Sequence, residues 1–337
     1  MRVAHKFELL DSPGGNLKKH SKPIPHFGGL GVFLSFIVGL IPVFPTENKV
    51  LCLILGGILL LFLGIVDDLK ILSPLKKFIG QVFVVACFIV WGFHLKEIFF
   101  SHKFSMLISS FWMLSIINAF NLIDVMDGLS TVAAITSSFA FLICALASGN
   151  LEVTLLLTAL IGSLTGFLFF NYPPASIYLG DGGSHFVGGI LSATPFLISW
   201  SEKTPYGAIV PFIILGLPIS ETVLLIILRS INGIPPYKGS PHHFSIYLRN
   251  KGYSVDAVLL FSATVSIFLA AVGIGLFLGL ISLASALLFA GSGFIVACYF
   301  IFSPPKSFVN KKNISLQPSK IIKNKINIFE KEGPRLR

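Results

Sequence analysis

Ten apolar runs alternate with short polar segments along the chain: 28–45, 50–66, 78–95, 104–120, 131–148, 153–170, 185–200, 207–228, 256–279 and 281–302. About 20 apolar residues in helical conformation cross the hydrocarbon core of a bilayer. The pattern therefore predicts an all-α polytopic membrane protein, with about ten transmembrane helices in one bundle. The last two runs are divided only around Gly279 and Leu280, so that boundary is soft. The predicted division is an N-terminal segment 1–27, a transmembrane domain 28–302 and a basic tail 303–337. The first run begins after a polar stretch, so no cleavable signal peptide is expected. No internal repeat is present, and the inverted-repeat pattern of many secondary transporters is missing.

Composition agrees with the pattern. Of 337 residues 54% are hydrophobic and 12% charged, with a mean hydropathy of +0.86. Orientation follows from the basic residues, which favour cytoplasmic loops. Segments 1–27, 67–77, 229–254 and 303–337 hold 21 of the 25 lysines and arginines; Lys49, Lys96, Lys103 and Lys203 lie in the opposite set. Both termini are therefore expected in the cytoplasm. The net charge of +10 reflects this asymmetry and the tail. A tail with Lys311, Lys312, Lys320, Lys323 and Lys325 is expected to rest near anionic lipid, and nothing points to nucleic acid. Cys52, Cys87, Cys144 and Cys298 fall inside apolar runs without CxxC spacing and read as small packing residues.

Five carboxylates break this picture. Asp67, Asp68, Asp124, Asp127 and Asp181 each border an apolar run, and counting spans puts all five on the cytoplasmic side. Ionisable groups at such positions are costly and mark function. Asp67 and Asp68 are adjacent, so on a helix they diverge by roughly 100° and cannot both address one atom. One could face a metal or nucleophile while the other orients a neighbour or Lys77; a plain polar cap ending a helix would also use such a pair. Asn118, Asn121, Asp124 and Asp127 recur every third position. The first three share a helix face and Asp127 drifts off it. Amide and carboxylate oxygens of this kind suit Mg²⁺, which keeps several waters and bridges to phosphate. A polar helix–helix seam would need the asparagines but not two carboxylates as well. In Leu179-Gly-Asp181-Gly-Gly-Ser184 the glycines let backbone N–H groups approach a phosphate, and Ser184 is expected to open the next helix as its N-cap. The segment from Arg229 to Phe244 offers Arg229, Lys238, His242 and His243 as donors for a diphosphate. Its His-His pair lacks metal-ligand spacing, so hydrogen bonding is expected of it rather than zinc. The Pro23-Ile-Pro25-His26-Phe-Gly28-Gly29 stretch allows a close backbone approach at the start of the first span.

Taken in order, these segments resemble the polyprenyl-phosphate N-acetylhexosamine-1-phosphate transferase superfamily. The likeness rests on the PxPxxGG turn, Asp67-Asp68 with Lys77, NxxNxxDxxDG from Asn118 to Gly128, GDxGS from Gly180 to Ser184, and Pro218, Glu221, Arg229, Gly233 and His243. It covers Asp11 to about Gly252. It implies transfer of a sugar-1-phosphate from a UDP-sugar to undecaprenyl or another polyprenyl phosphate with release of UMP, beginning a lipid-linked envelope glycan. It also implies a bacterial cytoplasmic (inner) membrane location, a site facing the cytoplasm, Mg²⁺ with Mn²⁺ as a substitute, and room for a homodimer. By position, Asp181 and Asn121 would be metal ligands. Asp67 would deprotonate or orient the lipid phosphate with Asp68 in support, and Lys77 would hold phosphate. Asn118, Asp124 and Asp127 would organise the uridine end with Lys22 nearby, and Arg229 and His243 would bind substrate.

The chain departs from the family pattern in places. Val125-Met126 replaces the glycine of DGxDG, and His26 stands where an arginine follows PxP. Of an HxHH cluster only His243 remains, followed by Phe244, Ser245 and Ile246, while Ser240 and Glu221 replace aspartates. Family members also carry a membrane helix before the region of Asp11. The Asn-Ala-Phe-Asn-Leu-Ile-Asp wording favours the branch that uses UDP-GlcNAc or a related UDP-HexNAc. The branch using UDP-MurNAc-pentapeptide has three consecutive histidines in the late loop, where this chain has two. A non-catalytic scaffold is the second expectation. An ion transporter, which would need carboxylates at mid-span, is the last.

Overall fold

The computed structural model describes residues 10–11, 24–43, 46–95, 101–200 and 204–303. Lys22, Pro23, Lys96, Lys203 and the basic tail lie outside the described residues. Twelve α-helices account for most of the rest: α1 (Gly28–Leu40), α2 (Asn48–Lys70), α3 (Pro74–Val90), α4 (His102–Ile123), α5 (Leu129–Ala147), α6 (Leu151–Asn171), α7 (Gly180–Ala193), α8 (Val210–Ile214), α9 (Gly216–Ile231), α10 (Phe244–Asn250), α11 (Val255–Phe277) and α12 (Leu283–Phe302). A two-residue ribbon pairs β1 (Leu10–Asp11) antiparallel to β2 (Ile24–Pro25), with Leu10 opposite Pro25.

Each apolar run holds a helix among the described residues, but the expected ten spans reduce to fewer by length. Among the described residues six helices (α2, α4, α5, α6, α11 and α12) are long and apolar enough to cross a membrane. The 207–228 run is broken: Gly207–Ile214 and Gly216–Ile231 meet at 71°, and counted as one span they would make a seventh. Gly216 and Pro218 supply the break, since neither supports a continuous helix interior. The other three runs shorten. Helix α1 passes into a 3₁₀ turn at Ile41–Val43, α3 stops at Val90, and α7 stops at Ala193 before a 3₁₀ turn at Thr194–Leu197. The protein is a multi-pass, all-α membrane protein.

Helix α7 is the axis of the fold. Every residue from Gly182 to Ala193 is buried, against α1, α2, α4 and α5. Such an axis demands small residues, because helices in a membrane associate by close packing rather than by escape from water. Gly183 lies against Gly29 of α1, Gly64 of α2 against the Asp181 backbone, and Gly189 against Leu60. A Cβ placed on Gly188 would come within 2.9 Å of Ile117 Cα. The most extensive helix contact in the molecule, between α2 and α7, is built this way. On the bundle flank α1 and α6 leave a mostly apolar cavity of about 800 Å³, lined in part by Gly31, Gly39, Gly162 and Gly166.

Candidate active site

Local sequence folds the polar residues toward one end of the bundle. Helix α2 closes at Lys70, with Ile71 in the left-handed region at φ +47°. That conformation costs a β-branched residue about 1–2 kcal/mol, and here the turn is fixed from Asp67. The Asp67 carbonyl accepts from Ile71 N at 2.8 Å, and its Oδ1 accepts from Leu72 N at 2.6 Å. Pro74 then starts α3 at a position where its missing N–H costs nothing. This three-residue connection returns Lys77 to within 2.9 Å of Asp67 Oδ2. Both groups oppose their helix dipoles, an anion in the last turn of α2 and a cation in the first turn of α3. Helix stability alone does not explain their placement.

Lys77 Nζ also reaches Asp181 Oδ2 at 2.9 Å and Asn121 Oδ1 at 3.2 Å. Four helix ends thus meet at one ammonium: the ends of α2 and α4 and the starts of α3 and α7. Asn121 Nδ2 donates to Asp181 Oδ1 at 2.5 Å and to Ser184 Oγ at 3.1 Å. The Asp67 side chain is 8% exposed and that of Asp181 32%, so the cluster opens to the surface at Asp181.

Asp68 points elsewhere, as adjacency on a helix requires. Its carboxylate accepts from Asp181 N at 2.9 Å and Gly182 N at 3.0 Å. It thereby satisfies two of the orphan donors at the α7 N-terminus and matches the positive end of that helix. Helix α7 begins at Gly180, four residues before Ser184, so the expectation that Ser184 is an N-cap is corrected. Ser184 Oγ instead donates to Asp181 O at 3.2 Å. Gly180 takes φ +76°, with His26 O against it. The entrance turn is stitched to the same place: Tyr178 N donates to Pro25 O at 2.8 Å, and Gly29 N donates to Leu179 O at 2.8 Å.

The shared face expected for Asn118, Asn121 and Asp124 holds only for the asparagines. Helix α4 ends at Ile123, and Asp124 leaves the helix at ψ 46°. Half-buried Asp124 makes no hydrogen bond among the described residues. Burial pushes its carboxyl well above the usual range, and the charges of Asp181, Asp68 and Asp127 add to the shift. That coupling brings Asp124 and Asp127 into the same field as the Lys77 cluster. Asp127 Oδ2 accepts from Ala175 N at 2.9 Å, which ties it to the loop leading to Gly180.

Two members of the site were missed in the sequence. Gln81 and His185 are fully buried, with Gln81 Nε2 2.8 Å from His185 Nε2 and His185 Nδ1 2.5 Å from Asp181 O. Since a carbonyl can only accept, Nδ1 carries the proton and Nε2 accepts from Gln81, which fixes a neutral imidazole. Gln81 Oε1 accepts in turn from Asn118 Nδ2 at 2.9 Å. Gln81 follows Lys77 by four residues and His185 follows Asp181 by four, the same-face spacing of a helix. That spacing was the available signal.

Arg229 and His243 form a separate cluster. Arg229 is buried and donates from Nη1 to Pro236 O at 2.6 Å and from Nε to Ser240 Oγ at 2.9 Å. His243 Nδ1 lies 2.8 Å from Glu221 Oε1. Among the described residues no hydrogen bond joins either residue to the Lys77 cluster. Lys22 lies outside the described residues.

The fold and site define a multi-pass membrane protein with a carboxylate–lysine–amide centre at one end of its bundle. Comparison with known proteins supplies the family. The model for glycosyl transferase family 4 matches residues 50–199, a span that contains Asp67, Lys77, Asn121 and Asp181. A probable undecaprenyl-phosphate N-acetylglucosaminyl 1-phosphate transferase of Bacillus subtilis (strain 168) is 33% identical over 291 residues, covering 78% of this chain and 80% of that protein. Phospho-N-acetylmuramoyl-pentapeptide-transferases match shorter stretches. The one of Limosilactobacillus fermentum is 38% identical over 152 residues, covering 40% of this chain and 47% of its own. That of Streptococcus pneumoniae serotype 2 is 41% identical over 83 residues, covering 25% and 26%. The chain belongs to glycosyl transferase family 4.

Proposed function

We propose that the protein transfers N-acetylglucosamine-1-phosphate, or a closely related N-acetylhexosamine-1-phosphate, from its UDP-sugar to undecaprenyl phosphate, releasing UMP. One observation carries the reading: helix ends bring Asp67, Asn121 and Asp181 around the single ammonium of Lys77. The relative from B. subtilis, a probable undecaprenyl-phosphate N-acetylglucosaminyl 1-phosphate transferase by name, supports the choice of transferred group and lipid acceptor.

The reaction forms a bond from a lipid phosphate oxygen to the sugar-bearing phosphorus and breaks the bond from that phosphorus to the UMP oxygen. It requires anions to be positioned and charge to be neutralised more than it requires covalent help. The donor set fits a hard divalent cation, because two carboxylates and an amide oxygen already surround an ammonium. Asp181 and Asn121 would hold Mg²⁺, which when bound neutralises the phosphates. Lys77 is then the cation free to hold a phosphate oxygen. Asp67 orients the acceptor phosphate; a phosphate monoester, with its second pKa near 6, is already largely ionised at neutral pH and needs little help from a base. Asp68 holds the α7 N-terminus and so the place of Asp181. Asn118, Asp124 and Asp127, with Lys22, organise the uridine end, and Arg229 and His243 serve the donor through the late loop.

The same reading makes the protein an inner-membrane enzyme with its site facing the cytoplasm. In it the shorter helices α1, α3 and α7 and the bent α8–α9 pair complete ten crossings of domain 28–302. The test is UMP release by purified protein with undecaprenyl phosphate and a panel of UDP-sugars. Release with UDP-GlcNAc, abolished by EDTA and by Asp181→Asn, is expected. Release confined to UDP-MurNAc-pentapeptide would move the chain to the other branch. Release insensitive to both EDTA and Asp181→Asn would sink the metal-centred reading.

A further inference from the structure

Glu221 and Arg229 lie eight residues apart on α9, just over two turns, and so share a face. They are 2% and 3% exposed. From that face Arg229 holds the beginning of the following segment, at Pro236 and Ser240, while Glu221 holds its end. Glu221 Oε1 meets His243 Nδ1 at 2.8 Å, and Oε2 accepts from Phe244 N at 3.4 Å. A buried carboxylate is costly unless it is bonded in this way. Here its partners are one imidazole and one backbone N–H.

The pairing has a chemical consequence. Nδ1–H of His243 donates to the carboxylate, so the ring cannot turn freely and Nε2 is the one nitrogen left to meet another molecule. In the same turn His242 Nδ1 and Ser245 Oγ are buried without a partner among the described residues. Buried polar atoms are normally satisfied, so a turn that leaves two of them open is one shaped for a polar ligand.

We infer that Glu221 is a positioning residue, which fixes the orientation of His243 so that Nε2 is presented to an anionic oxygen of the UDP-sugar diphosphate. The inference rests on the proposed reading that His243 binds the donor. With a carboxylate on one nitrogen and a phosphate oxygen on the other, both nitrogens donate and the imidazolium satisfies both.

The test is a double-mutant cycle on the full-length enzyme, with KM for UDP-GlcNAc and kcat measured separately by UMP release. Glu221→Leu keeps the bulk and removes the acceptor, and should raise KM roughly tenfold to hundredfold, the usual effect of losing an orienting carboxylate. Glu221→Gln keeps the reach and an acceptor, and should lose less. His243→Asn should raise KM at least as much, and adding Glu221→Leu to it should change nothing further. A second readout is independent of turnover: the ¹⁵N signals of His243, assigned by their loss in His243→Asn, should shift in Glu221→Leu and much less in Glu221→Gln. Additive losses in the cycle would overturn the inference, as would unchanged ¹⁵N signals in Glu221→Leu. A His243→Asn variant with wild-type KM would overturn it while leaving the Lys77-centred reaction standing. Wild-type protein that released no UMP would instead strike the reaction, and the ¹⁵N signals alone would then decide whether Glu221 holds the ring.

Discussion

Around Lys77 three other helix ends each contribute one polar group, whereas around His243 a single helix supplies both anchors of one loop. In the first region the Lys77 ammonium faces Asp67 and Asp181, with Asp68, Asp124 and Asp127 in the same field. Negative charge is in excess there, and Asp181 is the opening to the surface. In the second region Glu221 and Arg229 are each used up on their own loop. An arrangement with surplus charge is ready for a cation and for phosphates. One whose charges are consumed internally shapes a turn and leaves the contact to a residue that it holds.

The sharpest way to break this comparison is to neutralise the first region. Asp181→Asn and Lys77→Gln should each lower UMP release on the order of 10²–10³-fold, the scale of losing one fixed electrostatic partner of a transition state. If their losses are no greater than that of Glu221→Leu, the contrast between the regions is wrong. Next, Gln81→Leu should strand His185 Nε2 and Asn118 Oδ1, which both accept from Gln81 Nε2. Leaving buried polar groups unpaired costs about 1–3 kcal/mol, measurable as a lower melting temperature in detergent along with reduced activity.

Asp124→Asn sharpens the comparison through pH. Asp124 has its folded pKa raised, so at neutral pH its ionised form works against the folded state. That cost is complete above the folded pKa and vanishes as pH falls to the unfolded value near 3.8. The variant should therefore melt higher than wild type at pH 7 while losing activity, with the stability gain shrinking towards pH 4. An equal gain at both pH values would show that charge is not the cause. The smallest effect is expected at Ile71, where Gly removes a left-handed strain but adds backbone freedom. Ile71→Gly should stabilise by no more than about 1 kcal/mol and leave UMP release within twofold of wild type.

Much of this was legible in the sequence because a charge inside an apolar chain is conspicuous. Asp67, Lys77 and Asp181 stood out for that reason, and Asn121 through its three-residue spacing from Asn118 and Asp124; the structure brings Asp67, Lys77, Asn121 and Asp181 together. Gln81 and His185 did not stand out, because neither is charged and each sits within a run counted as a span. The bend between α8 and α9 and the shortness of α7 were also invisible to hydropathy, which sums apolarity over a window and ignores where a helix can continue. Gly216, Pro218 and the glycines of α7 carried that information. The place of Asp124 depended on where α4 stops, and a strict count of three residues per step ran one residue past the end.

The close burial of α7 sets a trap for anyone screening this protein by random substitution. From Gly182 to Ala193 almost any larger side chain would collide with a neighbouring helix, so the whole stretch would score as intolerant. Read naively, such a map would paint a catalytic surface well over a dozen ångströms long through the middle of the bundle, at about 1.5 Å per residue. Only a second map, recording how much folded protein each variant leaves, would shrink it to the few residues at the helix mouth whose loss silences the enzyme without emptying the membrane of it.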